Sequence, residues 1–139
     1  MKETIFKYLK LYSTPHPNDV DRLIVSAFLI KNKLIVQKNE FLKTFVILES
    51  DVDEYSKLIK FISVLDKEIK KFGHEELIEL FECVISPSDR IINGAIYTPS
   101  NIREFIVKQT FNSKKEKIAT SKVADISCGC GGFICNAAK

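Results

Sequence analysis

The chain has 139 residues, enough for one domain or for a small domain with part of another. Hydrophobic residues make up 45% and charged residues 28%, a mixture that excludes disorder throughout. Lysine or glutamate interrupts every apolar stretch before the ~18 residues a spanning helix needs, and Met1 leads into Lys2 and Glu3 rather than an apolar leader, so the sequence predicts a cytoplasmic protein with no membrane span.

A net charge of +3 is too near balance to argue for nucleic acid by itself. The basic side chains are 18 Lys against 3 Arg. With abundant Ile and no Trp, this is the usage of A/T-rich codons as much as of a binding surface.

The first 85 residues read as amphipathic helices. Ile5, Tyr8, Leu9 and Tyr12 share one helical face, and Pro15 and Pro17 forbid continuation. Asn18 or Asp19 then caps a second helix with the apolar stripe Val20, Leu23, Ile24, Ala27 and Phe28. Phe41, Leu42, Phe45 and Leu48 predict a third, with Leu34-Ile35-Val36 readable as its start or as a short strand. Ser50 or Asp51 opens a long helix that buries Tyr55, Leu58, Ile59, Ile62, Leu65, Ile69 and Phe72, with Gly73 as its stop signal. Leu77, Leu80, Phe81, Val84 and Ile85 form a last stripe before Ser86-Pro87-Ser88-Asp89. Such helices bury one another, so residues 1–88 are expected to form a compact helical domain.

After Pro87 the composition changes: four of the five glycines lie between Gly94 and Gly132. Thr98-Pro99 reads as an N-cap followed by proline at the first helical position, opening a helix with Ile102, Phe105 and Ile106 inward. The polar run Asn112 to Lys117 is a loop. Lys122-Val123-Ala124-Asp125-Ile126 reads as a short strand, which runs through a glycine-rich turn into a helix from Ile134. Glycines 129, 131 and 132 let the backbone turn tightly and approach a ligand without a Cβ collision. The following helix would direct free N–H groups and a positive dipole end at the same place, worth ~0.3–1 kcal/mol to an anion. Asp125 would add a negative charge beside it, so a ligand bearing both ammonium and carboxylate matches the pairing.

Other features carry less chemistry. Cys128, Cys130 and Cys135 lack C-x-x-C spacing and a nearby His, and with Cys83 they read as reduced thiols rather than a zinc set. His16, between two prolines, and His74, after Gly73, read as loop or cap residues. Lys114-Lys115-Glu116-Lys117 reads as a solvated loop.

The stretch Asp125-Ile126-Ser127-Cys128-Gly129-Cys130-Gly131-Gly132-Phe133 resembles the first S-adenosylmethionine motif of DNA N6-adenine methyltransferases, usually Asp-Pro-Pro/Ala/Ser-Cys-Gly-Ser/Thr-Gly-x-Phe/Leu. Upstream, Gly94-Ala95-Ile96-Tyr97-Thr98-Pro99 is similar to that family's Gly-x-Tyr/Phe-Tyr/Phe-Thr-Pro segment, and the two occur in the family's order with a helix between them. Ile126 stands where the family has proline, Cys130 where it has serine or threonine, and Ile96 where it has an aromatic residue.

The resemblance covers residues 94–139. With the helical N-terminal domain read from the apolar stripes (1–88), it implies a mainly α chain that continues into the truncated start of an α/β Rossmann-like methyltransferase domain (89–139). It implies S-adenosylmethionine contacts at Ile96, Tyr97, Thr98, Pro99, Asp125, Gly129, Cys130, Gly131 and Gly132. In the intact enzyme of a prokaryotic restriction-modification system, the methyl group would go to a flipped adenine held by an Asn/Asp-Pro-Pro-Tyr/Phe motif. These 139 residues contain no such motif. The expectation is therefore no catalytic residue here, weak or absent cofactor binding by this chain alone, and DNA contact only through the intact enzyme. The expected partners are the rest of the methyltransferase or a specificity or restriction subunit. A non-catalytic helical interaction subunit, or a gene remnant that binds modification subunits, is the alternative.

Overall fold

A computed structural model describes residues 3–13, 17–84, 97–112 and 120–138. Outside those residues lie several sequence expectations: the Pro15-His16 break, Ile85 to Asp89, Gly94 to Ile96 with the candidate contact Ile96, and the lysine run at 114–117. The described chain is mainly helical and holds no β-strand. It divides into two compact units, Met1–Ile85 and Ser86–Lys139, against a sequence boundary at 88/89. No helix among the described residues is long and apolar enough to cross a membrane.

The first unit contains α1 (Glu3–Ser13), α2 (Pro17–Lys31), α3 (Glu40–Lys43), α4 (Val52–Glu68) and α5 (His74–Val84). Helices α1 and α2 pack on each other, and each also packs on α4 and α5. Ile5 and Leu9 from α1 meet Val20, Leu23, Ile24 and Ala27 from α2, the stripes their spacing predicts. Helix α4 adds Leu58, Phe61 and Leu65, each fully buried, and burial of side chains this size stabilises by roughly 1.5–3 kcal/mol apiece. The Tyr8 ring stacks on Phe61 at 5.6 Å while its hydroxyl donates to the Lys57 carbonyl.

Besides the start of α2, which lies at Pro17 and so puts Asn18 and Asp19 inside its first turn rather than at its cap, three sequence expectations need correction in this unit. The long helix ends at Glu68, not at Gly73, with Ile69 in extended backbone as its C-cap. Ile69 and Phe72 are still buried, but from the connection, where Phe72 meets Phe28 edge-on at 5.6 Å. Asn32 fixes that connection by donating from Nδ2 to the Phe28 and Phe72 carbonyls, each at 2.9 Å. Gly73 instead precedes α5: its N–H donates to Glu76 Oε2 and its carbonyl accepts from Leu77, half of a capping box. On α4 the buried face includes Phe61, while Ile59 is 44% exposed.

The third correction is the helix expected from Phe41 to Leu48, which stops after four residues. Asn39 caps it by accepting from the Leu42 N–H. Its continuation is pre-empted by Ser26, buried on α2, whose hydroxyl donates to the Phe45 carbonyl at 3.0 Å and accepts from the Ile47 N–H at 2.8 Å. Those bonds hold the β-branched Val46-Ile47 run outside the helix and beside α2, where Ile47 is buried.

Helix α2 ends in a Schellman motif. Leu34 N–H donates to the Leu29 carbonyl and Lys33 N–H to the Ile30 carbonyl, with Lys33 at φ +53°. A lysine there occupies the left-handed position that glycine usually fills.

The second unit is described at α6 (Ser100–Asn112), the irregular stretch 121–125, and α7 (Gly132–Ala137), with α6 and α7 packed together. The predicted strand at 122–126 forms no β-ladder among the described residues: 122–125 carry no regular structure, and Ile126 opens a turn and is fully exposed. A strand is defined by its neighbours, and none is described here.

Candidate functional site

The candidate residues sit at two places in the second unit: the start of α6 and the turn before α7. The Pro99 carbonyl accepts the first helical N–H bonds, from Ile102 and Arg103, both at 3.0 Å. Pro99 therefore stands at the cap position and not inside the first turn, one residue later than the sequence predicts. The inward face also differs. Ile102, Phe105 and Ile106 are 45%, 60% and 42% exposed, while Arg103 is buried at 6%. The described surface that α6 packs on is α7, and the side of α6 that meets it carries Arg103.

Arg103 connects the two places. Its Nη1 donates to the Thr98 carbonyl at 2.6 Å. Its Nε lies 2.7 Å from where a Cβ on Gly132 would stand. A buried guanidinium is costly without hydrogen-bond partners, and Thr98 supplies one. Thr98 and Gly132, far apart in sequence, thus lie at two points along one side chain. Sequence reasoning missed Arg103; its signal is the third glycine, since Gly132, unlike Gly129 and Gly131, has no positive φ to justify it.

The turn is built as its glycines require. Gly129 at φ +51° and Gly131 at φ +79° occupy left-handed backbone, and Gly131 N–H closes the turn on the Cys128 carbonyl at 2.7 Å. Apart from chain neighbours, no heavy atom of the described residues lies within 4 Å of the place a Cβ would take at either glycine, so the space beside this backbone is open among them. Asp125 is half-buried, and its Oδ1 accepts from the Ser127 N–H at 3.0 Å, an Asx turn that leaves the second carboxylate oxygen to other partners. Cys130, Tyr97 and Thr98 are half-buried and Pro99 is exposed. Helix α7 is six residues long, under two turns, so few peptide dipoles add at its start.

Asp125 also lines an open apolar hollow of about 400 Å³ with Val107, Phe111, Val123, Phe133 and Ile134. On α7, one turn from Gly132, Asn136 is 7% exposed, and its side-chain amide makes no hydrogen bond among the described residues. None of the four cysteines is in a disulfide, and no three metal-ligating side chains come together among the described residues.

Comparison with family models, with curated proteins and with solved structures finds no match to this chain.

Proposed function

We propose that the chain is the N-terminal part of an S-adenosylmethionine-dependent adenine DNA methyltransferase of a restriction-modification system, with residues 97–99 and 125–132 facing the cofactor. The observation that carries this reading is the Arg103 bridge, which ties the segment ahead of α6 to the glycine turn ahead of α7. Two segments that resemble the two halves of one cofactor site are thereby neighbours in space as well as ordered in sequence.

The residues fit the cofactor at Gly129 and Gly131, where open space lies against left-handed backbone. Asp125 keeps a carboxylate oxygen for an ammonium group. At Gly132 the place a Cβ would take is filled by Arg103, so there the backbone alone can meet the cofactor. When bound, S-adenosylmethionine supplies an electrophilic methyl group. This chain's part is to hold the amino-acid end of that molecule, and an adenine-binding motif must come from residues other than these 139.

The test is the nucleotide sequence immediately after codon 139. An acidic residue beyond a second strand and an Asn-Pro-Pro-Tyr-like motif, in the same or a shifted frame, are expected. Joined to this chain, the encoded segment should transfer methyl groups from S-adenosylmethionine to adenine in DNA. A following sequence that encodes nothing of the kind removes the reading.

The second reading, a non-catalytic interaction subunit, is favoured by a separate observation in the first unit. Phe41, Ile35 and Leu48 are 75%, 82% and 61% exposed, apolar surface beyond what the helical core uses. Co-purification with a modification or specificity subunit, without cofactor binding in the complex, would support it.

A further inference from the structure

The glycine turn also carries two thiols. Three of the four cysteines, Cys128, Cys130 and Cys135, lie within eight residues, and the first two are separated by Gly129 alone. Cys128 is exposed and Cys130 half-buried, so a solute can reach both.

The turn brings this pair together. Because the Gly131 N–H donates to the Cys128 carbonyl at 2.7 Å, Cys128 and Cys130 are the first and third residues of a four-residue turn. Gly129, at φ +51°, bends the chain between them. Two Cα–Cα links of about 3.8 Å place residues two apart roughly 5–7 Å from each other, and a disulfide spans about 4.4–6.8 Å. A bent link lies at the short end of that interval, within reach of one S–S bond. Gly129 brings no side chain to the ring so formed. Apart from chain neighbours, no heavy atom of the described residues lies within 4 Å of the place its Cβ would take.

We propose that Cys128 and Cys130 form a reversible disulfide, closed by exchange with a small-molecule disulfide of the glutathione class. This holds whether or not the chain is part of a methyltransferase, since it uses only the turn and its two sulfurs. The exposed Cys128 thiolate attacks one sulfur of oxidised glutathione, breaking that S–S bond and releasing glutathione thiolate. The Cys130 thiolate then attacks the Cys128 sulfur of the mixed disulfide and displaces the second glutathione. Two protein thiols are oxidised and one glutathione disulfide is reduced. The two protons that the cysteines lose go to the two departing glutathiones.

Cys135 is fixed in α7, where its N–H donates to the Gly131 carbonyl at 2.9 Å, so it does not share the bend at Gly129. No third metal-ligating side chain joins the pair among the described residues, so what the two sulfurs offer is thiol chemistry rather than a three-ligand metal site. A ring this short removes little entropy from the unfolded chain, and an exposed disulfide of that kind opens readily to reductants. A reducing compartment keeps the dithiol form, and an oxidising shift closes it and ties the turn across Gly129.

The full-length chain is equilibrated with reduced and oxidised glutathione over a range of ratios, trapped with N-ethylmaleimide, and read by intact mass and tryptic mapping. The tryptic peptide 123–139 contains Cys128, Cys130 and Cys135. At ratios that close the ring, that peptide should carry maleimide on Cys135 alone, with Cys128 linked to Cys130, and Cys83 should also be alkylated. Cys130→Ser should stop at one glutathione bound to Cys128. The variant Cys83→Ser/Cys135→Ser should oxidise with the parent's midpoint. In urea that unfolds the chain, closure should need at least about tenfold more oxidised glutathione, because the bend at Gly129 is lost and with it the effective concentration of one thiol at the other. A bond from either sulfur to Cys83 or Cys135 overturns the proposal. So does glutathione held on both thiols without a ring, or an equal midpoint for the folded and unfolded chains.

Discussion

The two units differ in what they bury. In the first, thirteen apolar side chains from Ile5 to Leu80 form one continuous core. In the second, the buried residues among those described are Arg103, Gly132 and Asn136, and no apolar side chain is among them. Ile102, Phe105, Ile106, Val123, Ile126 and Ile134 instead keep 42% or more of their surface exposed. Amphipathic helices alone do not make a core; each stripe needs an opposing stripe, and only the first unit supplies them among the described residues. The second unit is organised around one guanidinium and three glycines, which is an arrangement for shape rather than for stability.

That contrast can be broken by substitution. Phe61→Ala should destabilise the first unit by about 4 kcal/mol in urea unfolding, because a fully buried ring leaves a cavity among α1, α2 and α4. A loss below about 1 kcal/mol would mean that the helices repack freely. Ser26→Ala should cost about 2 kcal/mol by stranding the Ile47 N–H and Phe45 carbonyl beside α2, and should also loosen the stretch from Val46 to Leu48. Methyl spectra of Ile47 and Leu48 check the second effect.

Smaller changes sharpen the picture. Lys33→Gly should stabilise by about 0.5 kcal/mol, since relief of left-handed strain slightly exceeds the added freedom of the unfolded chain. Asp21 offers a dependence on pH. Burial raises its carboxyl above the ordinary 3.8, so the folded state keeps that proton to a higher pH than the unfolded chain does. Stability from this residue is therefore fully present below 3.8 and lost as pH rises through the folded value. Asp21→Asn should gain on the parent protein over that interval and show no gain below it, read from urea midpoints at several pH values. Last, Ile126→Asn should change stability by no more than about 0.5 kcal/mol, because its side chain is fully exposed. A larger loss would reveal a neighbour for this segment.

Much of the helical unit is legible in the sequence because spacing and caps agree. The α2 stripe from Val20 to Phe28 packs as its periodicity requires, and Asp51 caps α4 through the Glu54 N–H. Phe61 escapes the reading because Leu58, Ile59, Ile62 and Leu65 already make a plausible face, and the choice between Ile59 and Phe61 depends on where α1 and α2 lie. The short α3 escapes it because the competitor is a hydrogen bond from Ser26, nineteen residues from Phe45, which no local pattern encodes. At the candidate site, the left-handed glycines are legible from type and spacing alone. Arg103 is not, since a basic residue flanked by Ile102 and Glu104 reads as the solvent side of a helix until α7 is placed against it.

The uncovered stretch before the glycine turn also bears on how the protein behaves when concentrated. A run outside regular structure with Val123 and Ile126 exposed is the kind of segment on which other chains can nucleate β-aggregates. Here the run is short, and it carries Lys122 at one end and Asp125 just before the other. Opposite charges so placed act as gatekeepers: stacking identical copies in register would set lysine against lysine and aspartate against aspartate. Colloidal stability in this region therefore depends on two charged side chains, and neutralising both would expose it to fibril growth while leaving every buried contact intact.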